Sequence, residues 1–203
     1  LEQSLNSLKV AGVSGDSLQL AQTEKTMASA LIADERYGDA LKLYASLDAK
    51  IAQKPEIGRI VDANSLDRVL ALMRQGSLAD AQTRASQLLA ATESRVGKKS
   101  PEATQIRLML AMVMAEQKQD AEARKLFATG LAEVIEQHDR EHFEVYAFDY
   151  THDDGSDYQA RLRAAFDHRH AIRSMPDDAA AQLIGDCGID VLVDLQGLSS
   201  GAR

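Results

Sequence analysis

Tyr37-Gly38-Asp39-Ala40, Gly76-Ser77-Leu78-Ala79-Asp80-Ala81 and Gln119-Asp120-Ala121-Glu122-Ala123 are three similar stretches in the first two thirds of the chain. With Ala40, Ala81 and Ala123 taken as equivalent, they lie 41 and 42 residues apart, a nearly constant period. Further columns repeat with them. Twelve residues before the alanine stand Ala28, Val69 and Ala111; nine before it stand Leu31, Leu72 and Met114; four after it stand Tyr44, Ala85 and Phe127. Offsets of that size are helical. Each unit therefore predicts a first helix, a short turn and a second helix, with the small alanine letting the two helices approach closely. Pro55 and Pro101 fall in the connections between units, and Ser100-Pro101 predicts an N-cap followed by proline at the first helical position.

This column pattern resembles the tetratricopeptide repeat, in an extended variety whose helices are longer than those of the usual unit of about 34 residues. Arg68 and Gly130 depart from the pattern, standing in columns that usually hold apolar or small residues. The repeats are expected over 25–137, after an imperfect helix or cap over 1–24. Such units stack into a solenoid whose concave face holds a protein or peptide. Met109 and Met112, in the run Leu108-Met109-Leu110-Ala111-Met112-Val113-Met114, are the peptide-groove candidates, because methionine repacks around varied ligands. The favoured reading of the same run is core, since it falls on the first helix of the last unit.

Composition agrees with a mainly α fold. Of 203 residues 45% are hydrophobic, enough for a core, while only 4% are aromatic and none is Trp. A net charge of −8 repels phosphate backbones and anionic lipid, so neither nucleic acid nor a membrane is expected as a partner. There is no apolar run of the ~18 residues a membrane span needs and no signal-peptide pattern at the start. The single cysteine, Cys187, reads as a packed thiol in a reducing compartment, and the expected location is cytoplasmic.

At about His138 the pattern changes. Phe143-Glu144-Val145-Tyr146-Ala147-Phe148 alternates as a strand should. The turn Asp153-Asp154-Gly155-Ser156 leads into a helix from about Tyr158 to Phe166, and Ala171-Ile172-Arg173 reads as a short strand. Ser174 is expected to cap a second helix beginning near Pro176 and ending at Gly188. Ile189-Asp190-Val191-Leu192-Val193-Asp194-Leu195 then reads as a buried parallel strand, with Gly197 opening the loop beyond it. The expectation over 138–203 is a partial α/β, Rossmann-like segment with a parallel sheet.

His138-Asp139-Arg140, Phe143-Glu144-Val145-Tyr146, Asp153-Asp154-Gly155-Ser156, Gly188-Ile189-Asp190, Leu192-Val193-Asp194-Leu195, Gly197 and Gly201-Ala202-Arg203 together resemble the first Rossmann domain of the O-linked N-acetylglucosamine transferases. That family also carries tetratricopeptide repeats ahead of its catalytic region. The resemblance implies an inverting glycosyltransferase of two Rossmann domains that moves N-acetylglucosamine from a uridine diphosphate donor to Ser or Thr hydroxyls without a metal. On the family motifs, Asp154, Gly155, Asp194, Gly197 and Arg203 are the candidates to line its cleft. No catalytic, metal or cofactor-binding residue is assigned in this chain.

Two departures from the family bear on activity. The family's first strand, with its active-site histidine, is expected before His138, yet Arg107 to Gln137 reads as repeat helix. The second Rossmann domain, which holds the donor nucleotide in the family, has no counterpart in these residues. The expectation is a non-catalytic portion of such an enzyme; the alternative is an interaction module with a vestigial or misjoined tail. A sheet lacking its first strand also predicts an open edge and self-association through it.

Other chemistries read more weakly. His138 and His142 are spaced i, i+4, and His168 and His170 flank Arg169, but no acidic third ligand stands at metal spacing beside either pair. Asp153-Asp154 reads as a turn whose carboxylates accept from free backbone N–H groups rather than as an acid–base pair. Asp190 and Asp194 are awkward in a buried strand, so one is expected at its carboxyl edge, facing a cleft. No histidine is placed by sequence logic to activate Cys187.

Overall fold

The computed structural model describes residues 7, 10, 17–61 and 64–195. Two compact units result, Leu1–Glu133 and Val134–Arg203, dividing four residues before the change of pattern in the sequence. The expected cap over 1–24 falls mostly outside the described residues.

The first unit is a series of helical hairpins. α1 (Leu18–Ala33) and α2 (Tyr37–Gln53) form the first, α4 (Leu66–Arg74) and α5 (Leu78–Val96) the second, and α6 (Pro101–Glu116) and α7 (Asp120–Glu136) the third. The one-turn helix α3 (Pro55–Gly58) occupies the first connection. Ser17 caps α1 by accepting from the Leu20 amide at 3.2 Å, and Ser100 caps α6 by accepting from the Ala103 amide at 3.1 Å, ahead of Pro101.

The alanine column does what its size predicts. Ala40, Ala81 and Ala123 are all buried, as are Ala28, Val69 and Ala111 twelve positions earlier. The column four after the alanine is buried at Tyr44 and Ala85 but 39% exposed at Phe127. The core falls into two clusters, one around Leu31, Tyr44 and Leu47 and one around Val69, Leu110 and Val113, with Leu70 packed against both.

One turn geometry recurs in all three hairpins. Five residues before the alanine, Glu35 (φ 57°), Gly76 (φ 77°) and Lys118 (φ 63°) are left-handed. The next amide reaches back to the first helix in each: Arg36 to the Leu31 carbonyl at 2.8 Å, Ser77 to Leu72 at 2.9 Å, Gln119 to Met114 at 3.0 Å. These are six-to-one bonds of the kind that close a helix at a left-handed residue.

The two odd columns have physical explanations. Arg68 is buried because its guanidinium lies over the Tyr44 ring, 5.1 Å from the centroid, and pairs with Asp48. Gly130 lies tight against α6: a Cβ there would meet Leu108 Cδ2 at 2.8 Å.

The second unit is a parallel β-α-β-α arrangement: β1 (Tyr146–Asp149), α8 (Asp157–Ala164), β2 (His168–Ala171) and α9 (Asp177–Asp186). β1 and β2 pair in parallel, with Tyr146 opposite His168 and Phe148 opposite His170. The class is as expected; several boundaries are not. β1 starts at Tyr146, leaving Phe143 60% exposed, and the second strand is His168–Ala171 rather than 171–173. The parallel ladder decides this: Asp149 is the last residue of β1 and meets Ala171. α9 is capped by the extended backbone of Pro176 without a side-chain bond, because Ser174 lies in the preceding turn, out of reach of the helix start. Gly188 does take the left-handed conformation after it, at φ 66°.

The largest correction concerns Ile189-Asp190-Val191-Leu192-Val193-Asp194-Leu195, which forms no strand. Val191, Leu192, Val193 and Leu195 are 78%, 64%, 69% and 58% exposed. Strand propensity alone does not hold such a run extended in a sheet; it needs a ladder neighbour and a covered face, and among the described residues the sheet consists of β1 and β2 only.

Candidate functional site

The loop from β1 to α8 is the place to which the cleft motif points, and its order comes from short-range capping. The Asp149 carboxylate accepts from the Thr151 amide at 2.9 Å and from its hydroxyl at 2.5 Å. Asp153 accepts from the Gly155 amide at 3.0 Å, and Asp154 accepts from the amide of Ser156 at 2.9 Å and its hydroxyl at 2.6 Å. Ser156 then caps α8 by accepting from the Gln159 amide, while the Asp154 amide donates to Gln159 Oε1 at 3.0 Å. Gly155, at φ 70°, supplies the left-handed step that the loop requires. The amides of Asp154, Gly155 and Ser156 are thus all engaged within the loop, as the turn reading of Asp153-Asp154 requires.

Arginines lace this loop to the strands. Arg163 of α8 donates to Asp149 at 3.1 Å and to Asp153 at 2.6 Å, and Arg169 Nε lies 3.5 Å from Asp149. Burial pushes the Asp149 carboxyl up, but the bonds from Thr151 and Arg163 outweigh it and hold its pKa below the ordinary value. The Gly155 amide and Arg163 do the same for Asp153, and the Ser156 hydroxyl and amide for Asp154. Carboxylates held ionised in this way are acceptors, not proton donors.

A second set of contacts ties the start of the unit together. Arg140 pairs with Asp167 and donates to the carbonyls of Ile135 at 3.2 Å and Ala165 at 2.5 Å, while Asp167 accepts from the Val145 amide at 2.8 Å. The His-Asp-Arg motif at 138–140 therefore joins the segment before β1 to the end of α8. His142 Nδ1 lies 2.7 Å from Asp139, and His138 Nδ1 lies 3.0 Å from the Val134 carbonyl. The i, i+4 histidine pair thus divides between different partners. Among the described residues no group of three His, Cys, Asp or Glu side chains is placed to hold a metal.

On one face of the sheet, His168 stacks on Tyr146 with centroids 4.3 Å apart, and His170 stacks on Phe148 at 5.5 Å. Cys187, just after α9, brings its Sγ to 3.7 Å from His170 Nε2. A histidine is therefore beside the cysteine, contrary to the sequence reading. Parallel pairing brings it there through residues 17 apart, and local spacing carries no trace of that. The Glu144 carboxylate, 3.1 Å from the Tyr146 hydroxyl, raises the phenol pKa.

The remaining candidates are dispersed. Asp194 lies in the exposed run after α9, and Gly197 and Arg203 lie outside the described residues. In the first unit, Met109 is half-buried against the second core cluster and Met112 is 47% exposed. No helix among the described residues is long and apolar enough to cross a membrane.

A β-α-β-α segment with these motifs in order has a match among known proteins: residues 127–203 match glycosyl transferase family 41. The similarity is confined to that C-terminal segment. The chain is also similar to a probable UDP-N-acetylglucosamine–peptide N-acetylglucosaminyltransferase, SEC, of Arabidopsis thaliana, 29% identical over 73 residues. That similarity covers 36% of this chain and 8% of the Arabidopsis protein. No solved structure matches the chain significantly. The resemblance to the O-linked N-acetylglucosamine transferases stated from the motifs is borne out by these two findings. The family 41 match begins within α7, so it takes in the end of the last hairpin as well as the α/β unit.

Proposed function

We propose that this chain is a non-catalytic portion of an O-linked N-acetylglucosamine transferase-like glycosyltransferase, in which tetratricopeptide-like hairpins bind protein or peptide ahead of the first Rossmann segment. The observation that carries the proposal is the order of parts: three hairpins of one period, then a parallel β-α-β-α segment matching glycosyl transferase family 41. The Arabidopsis relative is named for peptide N-acetylglucosaminyl transfer, and the same chemistry, with a uridine diphosphate sugar as donor and no metal, is the reading for the parent of this segment. A cytoplasmic location goes with it.

The state of the loop after β1 supports the non-catalytic part. A diphosphate is held by free backbone N–H groups or by cations, and the amides of 154–156 are spent on Asp153, Asp154 and Gln159. The nearby Arg163 is neutralised by Asp149 and Asp153. Titration calorimetry with uridine diphosphate is expected to show binding no tighter than about 1 mM, roughly −4 kcal/mol. A radiolabelled transfer assay on a Ser/Thr-rich peptide is expected to show no product. Micromolar binding or measurable transfer would end this reading.

The second reading, an interaction module with a vestigial tail, has one observation in its favour: the apolar run at 191–195, which a working sheet buries, is exposed. Peptide capture by the chain with residues 138–203 deleted, at unchanged affinity, would favour it.

A further inference from the structure

The second unit brings a nucleophile and a base into contact away from the loop after β1. Cys187 Sγ lies 3.7 Å from His170 Nε2, within hydrogen-bonding distance for a sulfur, and both side chains are half-buried. Each is held from its own side. The imidazole sits opposite Phe148 in the ladder and stacks on its ring at 5.5 Å, with the Tyr146 ring parallel to it at 6.3 Å. Cys187 closes α9, its amide donating to the Leu183 carbonyl at 3.1 Å, and Gly188 turns the chain away at φ 66° directly after it. A base oriented by a third group beside a nucleophile is the arrangement of an activated thiol.

The groups that face His170 are few and named: Tyr146 and Phe148 of β1, His168 two residues earlier on its own strand, and Cys187 at the end of α9. Glu144 stands beyond His168, 3.6 Å from its Nε2, and Arg169 alternates to the side where it meets Asp149. The carbonyl end of α9 disfavours a thiolate, so the helix contributes nothing to ionising Cys187. Any activation rests on the imidazole.

We propose that Cys187 and His170 form a thiol–imidazole couple at which a hydroperoxide oxidises the cysteine to its sulfenic acid. Nε2 takes the thiol proton as the sulfur attacks one peroxide oxygen. The S–O bond forms while the O–O bond breaks, two electrons pass from sulfur to the departing oxygen, and the imidazolium returns the proton to that oxygen, which leaves as water or an alcohol. The need for this last transfer selects the reagent class: a hydroxide or alkoxide is a poor leaving group unless a proton donor stands beside it, and a half-buried thiol admits a reagent as small as hydrogen peroxide. These 203 residues hold no second cysteine, so the sulfenic acid has no intramolecular thiol to condense with and is closed by an external one.

The single cysteine makes every thiol signal from the full chain that of Cys187. Rates with hydrogen peroxide at pH 7 are read by dimedone trapping and mass spectrometry, and rates with iodoacetamide, whose iodide leaves without a proton, are read alongside. The native chain is expected to react with peroxide at least about tenfold faster than the same chain unfolded in urea, although folding shields the thiol. His170→Phe, which keeps a ring on Phe148 and whose fold circular dichroism checks, is expected to lose at least about tenfold with peroxide and clearly less with iodoacetamide. A native thiol no faster than the unfolded one overturns the proposal. So does the absence of a dimedone adduct, or an equal loss with both reagents in His170→Phe.

Discussion

Arg107 and Glu133 form a buried ion pair across the third hairpin, in the same two columns that hold Glu24 and Lys50 in the first, with the charges exchanged. The columns stand 16 before and 10 after the repeated alanine in both cases. Thr104 adds a bond to Glu133 at 3.0 Å, and Ser46 one to Glu24 at 3.2 Å, so both carboxylates are bonded beyond the pair. In the middle hairpin the columns hold Ser65 and Ala91, and no pair forms. Where the pair is present, its position along the helices is kept while the sign at either end is exchanged.

Removing one partner leaves an uncompensated buried charge. Arg107→Met is expected to destabilise the chain by about 3–5 kcal/mol. The double exchange Arg107→Glu with Glu133→Arg is expected to recover only part of that loss, because Glu93, now paired with Arg107, would face a carboxylate. Urea denaturation of the single and double variants checks both statements.

The left-handed turn column yields a gain. Glu35 and Lys118 take a conformation that costs a side-chain-bearing residue about 1–2 kcal/mol, and Gly76 fills the same position in the middle hairpin without that cost. After allowance for the greater freedom of glycine in the unfolded chain, Glu35→Gly and Lys118→Gly are each expected to stabilise by roughly 0.5–1 kcal/mol. Thermal midpoints that fall instead would show the turns held by something other than their backbone.

Ala81 is fully buried where α5 meets its neighbours. Ala81→Leu is expected to cost about 1–3 kcal/mol through overpacking. An unchanged thermal midpoint would remove the alanine register on which the columns rest.

Acid sensitivity follows from the carboxylates. The Arg68 hydrogen bonds hold Asp48 below its ordinary pKa, and the Thr151 and Arg163 bonds do so for Asp149 against the effect of burial. A carboxyl whose folded pKa is depressed contributes stability that is fully present above its unfolded value of about 3.9, and that stability is lost as pH falls through the folded value. Stability is therefore expected to be flat above about pH 5 and to fall below pH 4. Asp48→Asn should make the decline shallower while lowering the neutral-pH value. A decline equally steep in that variant would assign the acid sensitivity elsewhere.

The hairpins were legible because their determinants are local. Ala40, Ala81 and Ala123 repeat at helical offsets from their packing partners, and Ser100-Pro101 marks a helix start within one turn. The Arg107–Glu133 pair joins residues 26 apart, and a search for apolar columns passes over it. Ile189 to Leu195 shows the opposite error: its composition is that of a buried strand, but a strand exists only with a neighbour, and β-propensity carries no information about which neighbour is present. Cys187 and His170 meet through parallel pairing and a crossover, which likewise leaves no mark on local spacing. The cleft candidates Asp154 and Gly155 were found by motif. Arg163 and Asp149, which fix that loop, belong to no quoted motif.

Leu70 is the side chain that packs against both core clusters of the first unit. In a nearest-neighbour array the coupling between adjacent units, not their individual strengths, decides whether they melt together or in sequence. A joint with little shared apolar packing is a weak link of that kind, so the first hairpin can fray while the second and third stay folded. Amide hydrogen exchange would then divide the array into two protection classes, with the border at α4 rather than at any loop. Trimming Leu70 to alanine would sharpen that border, turning one cooperative melting transition into two.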